Sequence, residues 1–367
     1  MRILIDYRPA LRQRTGVGEY VHGLATALAA RLPAEDSLTV FSSSWKDRLA
    51  RDAVRGARSV DARLPVQLLN LAWHRLEWPP VEWLAGDADV VHSMHPLLMP
   101  SRRAARLVTI HDLYFLDRPG ATSAEIRRDY AALAQDHARR ADGIVVNSEY
   151  TKGLVTARFG LDPQRVTVCY PGAPDWRPRA EPSAAGPILF VGTIEPRKNV
   201  PGLLRAYAQL LARMPHAPDL VLAGWIPPDA SLKKELADRS LAGRVRADGY
   251  VTDETRQQLY REASMLVLPS FDEGFGITAV EAMTLGVPVI AARRGALPEV
   301  VGNAGLLVEP DDHEGLADAM EHVLSDAATR RRMADAGMRQ AARFSWQDSA
   351  SRLHEAYRAA VARRGSR

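Results

Sequence analysis

The stretch MLVLPSFDEGFGITAVEAMTLGVPVIAA, residues 265–292, reads as strand, loop, helix and strand. Met265–Leu268 is a short run with no polar residue, ended by Pro269. Glu273-Gly274-Phe275-Gly276 holds two glycines and resists helix formation. A helix fits Ile277 to Leu285, where Gly286 and Pro288 stop it, and PVIAA (288–292) is the next apolar run. Uninterrupted apolar strands separated by helices belong to parallel sheets covered on both faces.

The same alternation extends outward in both directions. Before the centre of the chain, strands are predicted at 2–6, 38–43, 88–93, 106–112, 143–148 and 165–170, with helices at 18–32, about 123–140 and elsewhere between them. After it, strands are predicted at 187–192, 219–224, 245–251, 265–270, 288–292 and 305–310. Between the two sets lies APDWRPRAEPSAAGP (173–187), where proline, alanine and glycine break the pattern, which predicts a linker. The expected architecture is α/β: two doubly wound, Rossmann-like domains facing a cleft, 1–172 and 188–345. A closing helix at 346–367 is announced by Ser345 and Asp348, spaced as in a capping box. In such sheets ligands bind beyond the carboxyl ends of strands, so residues just after strands carry most weight.

The formal charge of +4 lies wholly in residues 1–172, which carry 23 Lys+Arg against 19 Asp+Glu. Only 5 of the basic residues in the chain are lysine, and none cluster with aromatics, so nucleic acid is not the expected partner. Cys169 is the only cysteine, which excludes an internal disulfide and fits a reducing, cytoplasmic compartment. MRILIDYRPA lacks the long apolar core of a signal peptide, and no segment reads as a transmembrane helix. A peripheral contact at the inner membrane face is compatible with this composition.

Four segments can carry chemistry. Glu273 sits on a loop at a strand's carboxyl end and Glu281 about one turn into the next helix; the N–H groups of Gly276, Ile277 and Thr278 form a helix N-terminus suited to an anion. Two carboxylates beside an anion suit a ligand rich in hydroxyls, although solvated glutamates around a glycine turn would look the same. In FVGTIEPRKNVPGLL (190–204), Arg197 and Lys198 stand just before a helix, where they can bind a diphosphate or form an exposed basic loop. In TIHDLYF (109–115), His111 follows a strand; a lone histidine is more often structural than catalytic. In RQRTGVGEY (12–20), Gly16 and Gly18 form a turn before a helix that would admit close approach of a ligand, without being a dinucleotide fingerprint. Asp87 and Asp89 precede their strand and His92 and His95 have no further ligand cluster, so no metal site is expected. No P-loop is present.

These segments together, over essentially the whole chain, resemble the large retaining family 4 (group 1) of GT-B glycosyltransferases, and most nearly its bacterial GDP-mannose-dependent mannosyltransferases. Glu273 through Glu281 is similar to the family's E-x7-E element; GTIEPRKN (192–199) to its diphosphate loop; TGVGEY (15–20), TIHD (109–112) and VNSEYTK (146–152) to amino-terminal landmarks; and FSWQDSASRLHEAY (344–357) to its closing helix. The resemblance implies that Gly192, Arg197 and Lys198 hold the donor diphosphate and stabilise the leaving nucleotide. It implies that Glu281 binds the ribose hydroxyls, that Glu273 contacts the donor sugar, and that Gly274, Phe275, Gly276 and Ile277 supply backbone contacts. His111 would sit beside the donor sugar from the opposite wall, Gly16 and Gly18 near the phosphates or acceptor, and Tyr250 and Val251 beside the base. It further implies no metal or other cofactor, same-face attack without a protein nucleophile, and a saccharide or lipid-linked oligosaccharide acceptor in surface polysaccharide synthesis. The competing readings are another GT-B enzyme, such as a sugar-phosphate synthase or a UDP- or TDP-sugar transferase, and a catalytically silent nucleotide-sugar-binding protein.

Overall fold

The computed structural model describes residues 1–11, 16–118, 129–226, 232, 235 and 238–366. They divide into two compact units, one of Met1–Gly172 with Ser345–Arg367 and one of Ala173–Phe344.

The strands of the first unit are β1 (Arg2–Asp6), β2 (Ser37–Ser42), β3 (Arg58–Asp61), β4 (Val90–Ser93), β5 (Ala105–Ile110), β6 (Gly143–Val146) and β7 (Val166–Val168). They form one parallel sheet in the order β3-β2-β1-β4-β5-β6-β7. The second unit holds β8 (Ile188–Val191), β9 (Leu220–Ala223), β10 (Val245–Gly249), β11 (Met265–Leu268), β12 (Val289–Ala292) and β13 (Leu306–Val308), again all parallel, in the order β10-β9-β8-β11-β12-β13. Both orders step outward from the first strand and then reverse, the Rossmann-like arrangement. The reversal falls between β1 and β4 in one sheet and between β8 and β11 in the other, and the chain leaves both strands of each pair at the same end. That end is where a ligand-binding crevice opens.

β8 and β11 are buried along their length and wholly apolar, and β4 is buried too although it carries His92 and Ser93; β3, RSVD at an edge, is half exposed and gives no apolar run to read. In the second unit Phe190, Met265 and Val267 pack with Leu203 and Tyr207 of the helix Val200–Arg213 and Met320 of the helix His313–Ser325. In the first, Ile3, Ile5 and Leu107 pack with Val21 and Leu24 of the helix Gly16–Ala29 and with Leu353 and Tyr357 of the helix Trp346–Gly365. Ser345 caps that last helix, accepting from the Asp348 N–H at 3.1 Å. Its Trp346 indole lies where a Cβ on Gly23 would come within 2.5 Å, so the two helices meet only because residue 23 lacks a side chain.

Residues 173–187 contain no helix or strand, yet they are not slack. Arg179 anchors the segment to the rest of the second unit, donating to the carbonyls of Ala263 (2.6 Å) and Gly286 (3.2 Å). These carbonyls lie just past the carboxyl ends of two helices, where a cation is favoured. Burial pulls the Arg179 guanidinium down to about 10. Among the described residues no helix is long and apolar enough to cross a membrane. The sequence segments at 12–15 and 119–128, parts of the expected glycine turn and of the expected helix 123–140, lie outside the described residues; Ala131–Arg140 is helical.

Candidate active site

The switch point of the second sheet gathers the charged residues. The loop after β8 runs from Gly192 through a tight turn, Pro196–Lys198, to Asn199, whose backbone is left-handed (φ 51°). Asn199 is buried and ties three loops together. Its Oδ1 accepts from the Gly202 N–H at 3.2 Å, starting the helix Val200–Arg213, while its Nδ2 donates to the carbonyls of Pro269 after β11 (3.1 Å) and Pro310 after β13 (2.8 Å). The Phe271 N–H donates to the Arg197 carbonyl at 2.7 Å. The two strand-end loops are thereby held side by side.

This juxtaposition brings Arg197, Lys198 and Glu273 into one cluster. Lys198 Nζ donates to Glu273 Oε1, which also accepts from Ser270 Oγ at 2.8 Å; Arg197 Nη1 donates to Glu273 Oε2 at 3.2 Å and to the Asp272 carbonyl at 3.2 Å. Glu195 holds the Arg197 Nε at 2.6 Å. Burial alone would raise the Glu273 pKa. The charges of Lys198 and Arg197, with the hydrogen bonds from Lys198 and Ser270, outweigh it and hold the carboxyl at about 2. Lys198 is pulled below its ordinary range by burial, with Glu273 opposing.

Glu273 sits ahead of Gly276, which takes a φ of 101° that a side chain rarely adopts and opens the helix Ile277–Thr284 with no side-chain cap. Four N–H groups at any helix start lack a partner within the helix, and their dipoles favour an anion. Inside this helix Glu281 is buried. Its Oε2 accepts from the Tyr260 hydroxyl at 2.8 Å and its Oε1 pairs with Arg256 at 3.1 Å. Tyr250 and Val251 follow β10, the edge strand two places from β8, and Tyr250 is partly exposed.

In the first unit His111 directly follows β5. Its Nε2 faces the Met94 carbonyl at 3.2 Å, so the proton sits there and Nδ1 is left as an acceptor; its ring meets Tyr20 edge-on. Burial lowers its pKa, favouring the neutral ring. Gly16 and Gly18 both fall inside the first turn of the helix Gly16–Ala29, not in a turn before it, and Gly18 is buried. Asp87 and Asp89 are bridged by Arg2 at the amino ends of β1 and β4. His92 bonds Tyr357 and Thr109, whereas His95 faces Asp6 at 3.2 Å.

Sequence reasoning missed Glu195, Asn199, Arg256, Ser270 and Tyr260 as parts of this arrangement. Tyr260 and Arg256 lie on one face of the helix Asp253–Glu262, four residues apart, which is the one signal available beforehand. It also missed a cluster at the first sheet's switch point. There Arg8 forks onto buried Asp6 (2.8 and 2.6 Å), donates to Asn70 (2.7 Å) and lies over the Trp73 ring.

Comparison with known proteins agrees with this architecture. The family described as Glycosyl transferases group 1 matches residues 178–340, and Glycosyltransferase Family 4 matches residues 14–177. The O-antigen chain mannosyltransferase B of Escherichia coli is 28% identical over 98% of this chain and 100% of its own length. A D-inositol 3-phosphate glycosyltransferase of Nocardioides sp. is 30% identical over 97% of this chain and 87% of its own. Among solved structures, sucrose-phosphate synthase from Thermosynechococcus elongatus superposes with a TM-score of 0.77 over 97% of this chain and 98% of its own, at 22% identity. Two Rossmann-like sheets, one matched to each family description, and relatives along nearly the full length leave one assignment: this chain is an enzyme of the family 4, group 1 glycosyltransferases, with the GT-B fold.

Proposed function

We propose that the protein is a retaining, metal-independent hexosyltransferase that moves mannose from GDP-mannose to a saccharide or lipid-linked oligosaccharide in surface polysaccharide synthesis. One observation carries the reading: Arg197 and Lys198 stand at the switch point of the second sheet, braced by Glu273, beside a helix N-terminus that no side chain caps. A diphosphate there would find two cations and a set of N–H dipoles already in position, which is the condition for stabilising charge on a departing nucleotide. Protein cations would supply the charge that a divalent metal supplies elsewhere. The likeness to the O-antigen mannosyltransferase supports mannose and the polysaccharide context.

In this reading Gly192, Arg197 and Lys198 bind the diphosphate, and Gly274, Phe275, Gly276 and Ile277 offer backbone contacts to phosphate and sugar. Glu273 contacts the sugar. Both its oxygens are engaged, which suits a brace and sugar ligand and not a nucleophile. Glu281, fixed by Tyr260 and Arg256, accepts from the ribose hydroxyls; Tyr250 and Val251 flank the base. His111 offers its free Nδ1 to the donor sugar, and Gly16 and Gly18 lie near the phosphates or acceptor.

A thermal-shift panel of GDP-mannose, UDP-glucose, ADP-glucose and TDP-glucose, each with and without EDTA, tests the donor. GDP-mannose should raise the melting temperature most, and EDTA should leave the shift intact. A larger shift with another nucleotide would replace the donor, and a shift abolished by EDTA would overturn metal independence. Retention is read from the anomeric configuration of the product by NMR.

A further inference from the structure

A buried asparagine in a loop ordinarily serves the fold, by taking a left-handed backbone or by capping a helix. Asn199 does both, with a φ of 51° and its Oδ1 on the Gly202 N–H. Asn147, the residue directly after β6, does neither. The described non-glycine residues of positive φ are Arg63, Glu77 and Asn199, so Asn147 has an ordinary backbone. The helix Glu149–Phe159 that follows is capped by Ser148, whose Oγ accepts from the Thr151 N–H at 3.0 Å. Asn147 is only 7% exposed, yet its side chain bonds no other described residue, and its Oδ1 is closed off from solvent. A buried amide oxygen without a partner lowers stability, and such groups are rare in folded proteins outside functional sites.

Its place in the sheet gives it a use. β6 neighbours β5, with Val146 beside Ile110 in register, so Asn147 and His111 are the first residues beyond two adjacent strands at the carboxyl edge. The two loops are tied together. Thr151 Oγ1 donates to the His111 carbonyl at 3.4 Å, and Ser148 Oγ donates to Thr151 Oγ1 at 2.9 Å. His111 brings a ring that burial keeps neutral, with Nδ1 as an acceptor. Asn147 adds a neutral amide, which carries both an acceptor and donors. Uncharged groups of this kind match hydroxyls, whereas a phosphate is met by cations or by a set of N–H groups. A hydroxyl-rich ring bound at this corner would give the orphaned oxygen the O–H it lacks.

We infer that Asn147 is a sugar-binding residue, whose amide accepts a hydrogen bond from a ring hydroxyl of the transferred hexose beside His111. The inference rests on the reading of the chain as a hexosyltransferase and adds to it a residue that selects for the sugar. Its consequence is a separation of effects. Asn147 acts on the sugar and not on the nucleotide, so replacing it should spare nucleotide binding. Because the amide is unpaired in the free protein, replacing it by an apolar group should also stabilise the fold. A residue that served the fold would do the reverse.

The test uses Asn147→Leu, close to asparagine in size and unable to hydrogen-bond, with Asn147→Ala as a second variant that cannot overfill the site. Calorimetric titration of each full chain with GDP and with GDP-mannose isolates the contribution of the sugar. Both variants should bind GDP within about twofold of the wild type and GDP-mannose about tenfold more weakly. Without ligand, Asn147→Leu should melt about 2–4 °C higher than the wild type. Equal losses for the two ligands, no loss for either, or a melting temperature lowered in both variants would overturn the inference, since a structural bond or an ordered water would then account for the amide. The donor reading fails separately. If the wild-type chain prefers another nucleotide sugar, GDP-mannose is replaced as donor, and the same comparison with that nucleotide sugar and its free nucleotide decides the role of Asn147. A wild-type chain that binds no nucleotide sugar overturns both.

Discussion

The two sheets share one strand order, and each switch point holds a buried carboxylate paired with arginine, yet the groups around that pair differ. In the second unit the loops after β8 and β11 converge on Arg197, Lys198, Glu195 and Glu273, and Glu281 is coupled to Arg256 close by. In the first unit the last residue of β1, Asp6, meets Arg8 just after it and His95 just after β4, and Arg8 is held also by Asn70. Every histidine whose pKa is clearly lowered, His74, His92, His111 and His137, also lies in this unit. One fold thus supports a carboxylate braced by two cations in one half and, beside the single Asp6–Arg8 pair, a set of neutral histidine rings in the other. The second unit's cluster of Glu195, Arg197, Lys198 and Glu273 sits on loops, whereas Asp6, His74, His92 and His137 of the first unit lie within strands and helices.

That contrast makes the two units respond to acid at different pH. Burial first of all pushes His92 down to about 3 and His137 to about 4, against an ordinary 6.5. Both rings are neutral above pH 6.5 in either state, so their contribution is whole there. Below 6.5 the unfolded chain takes up protons that the folded one refuses, and stability falls until the folded values are reached. At pH 5 each costs roughly 2 kcal/mol, about 4 together. In the second unit Glu273, held at about 2 against 4.5, contributes roughly 3 kcal/mol that is present above pH 4.5 and fades as the pH falls towards 2. Hydrogen exchange at pH 7 and pH 5 should therefore show the amides of β4 and β5 losing protection while those of β8 and β11 keep theirs. Equal losses in both units would break the comparison.

Substitution at equivalent positions should separate function from stability. Lys198→Ala should lower kcat/KM about 10²- to 10³-fold, the loss expected when one preorganised charge is removed from a transition state. It should also raise the Glu273 pKa, since one of that carboxylate's two cationic partners is gone. Arg8→Leu in the first unit should instead cost about 3–5 kcal/mol of stability by stranding Asp6 in the interior, with nucleotide-sugar binding by the remaining folded protein intact. Initial rates and denaturant melts on both variants decide this. Full activity in Lys198→Ala, or nucleotide binding lost in a stably folded Arg8→Leu, would exchange the roles assigned to the two loops.

What could be read from sequence follows the same division. Strands such as Met265–Leu268 and Gly143–Val146 announce themselves, because they are buried on both faces and carry no polar side chain. β3 does not, since RSVD needs no apolar residue at a half-exposed edge. Arg197, Lys198 and Glu273 are legible as individuals because each follows a strand. Their mutual ion pairing is not, since 75 residues separate Lys198 from Glu273 and the contact depends on β8 and β11 being neighbours. Asn199 is hidden for another reason: its left-handed backbone and its bonds to Pro269 and Pro310 exist only after three loops have come together. Arg179 reads as part of a linker because an anchor made of one arginine and two carbonyls leaves no local pattern.

The smallest predicted effect tests how finely the charged centre is tuned. Glu281 receives two bonds, from Tyr260 at 2.8 Å and Arg256 at 3.1 Å, and neither donor belongs to its own helix. Arg256→Leu removes one and leaves the carboxylate held by the other, so it should stay in place but less firmly. If Glu281 holds the ribose equally well in the bound donor and in the transition state, the loss appears in binding alone. The donor KM should then rise about three- to tenfold, roughly 1 kcal/mol, with kcat nearly unchanged, and Arg256→Lys should recover part of it. A 2′-deoxy donor should lose most of its disadvantage in the Arg256→Leu protein, because the hydroxyl contact it lacks is already weakened. Should kcat fall while KM stays constant, Arg256 acts on the departing diphosphate instead, and the charged centre extends from Glu195 to the helix Asp253–Glu262 as one electrostatic unit.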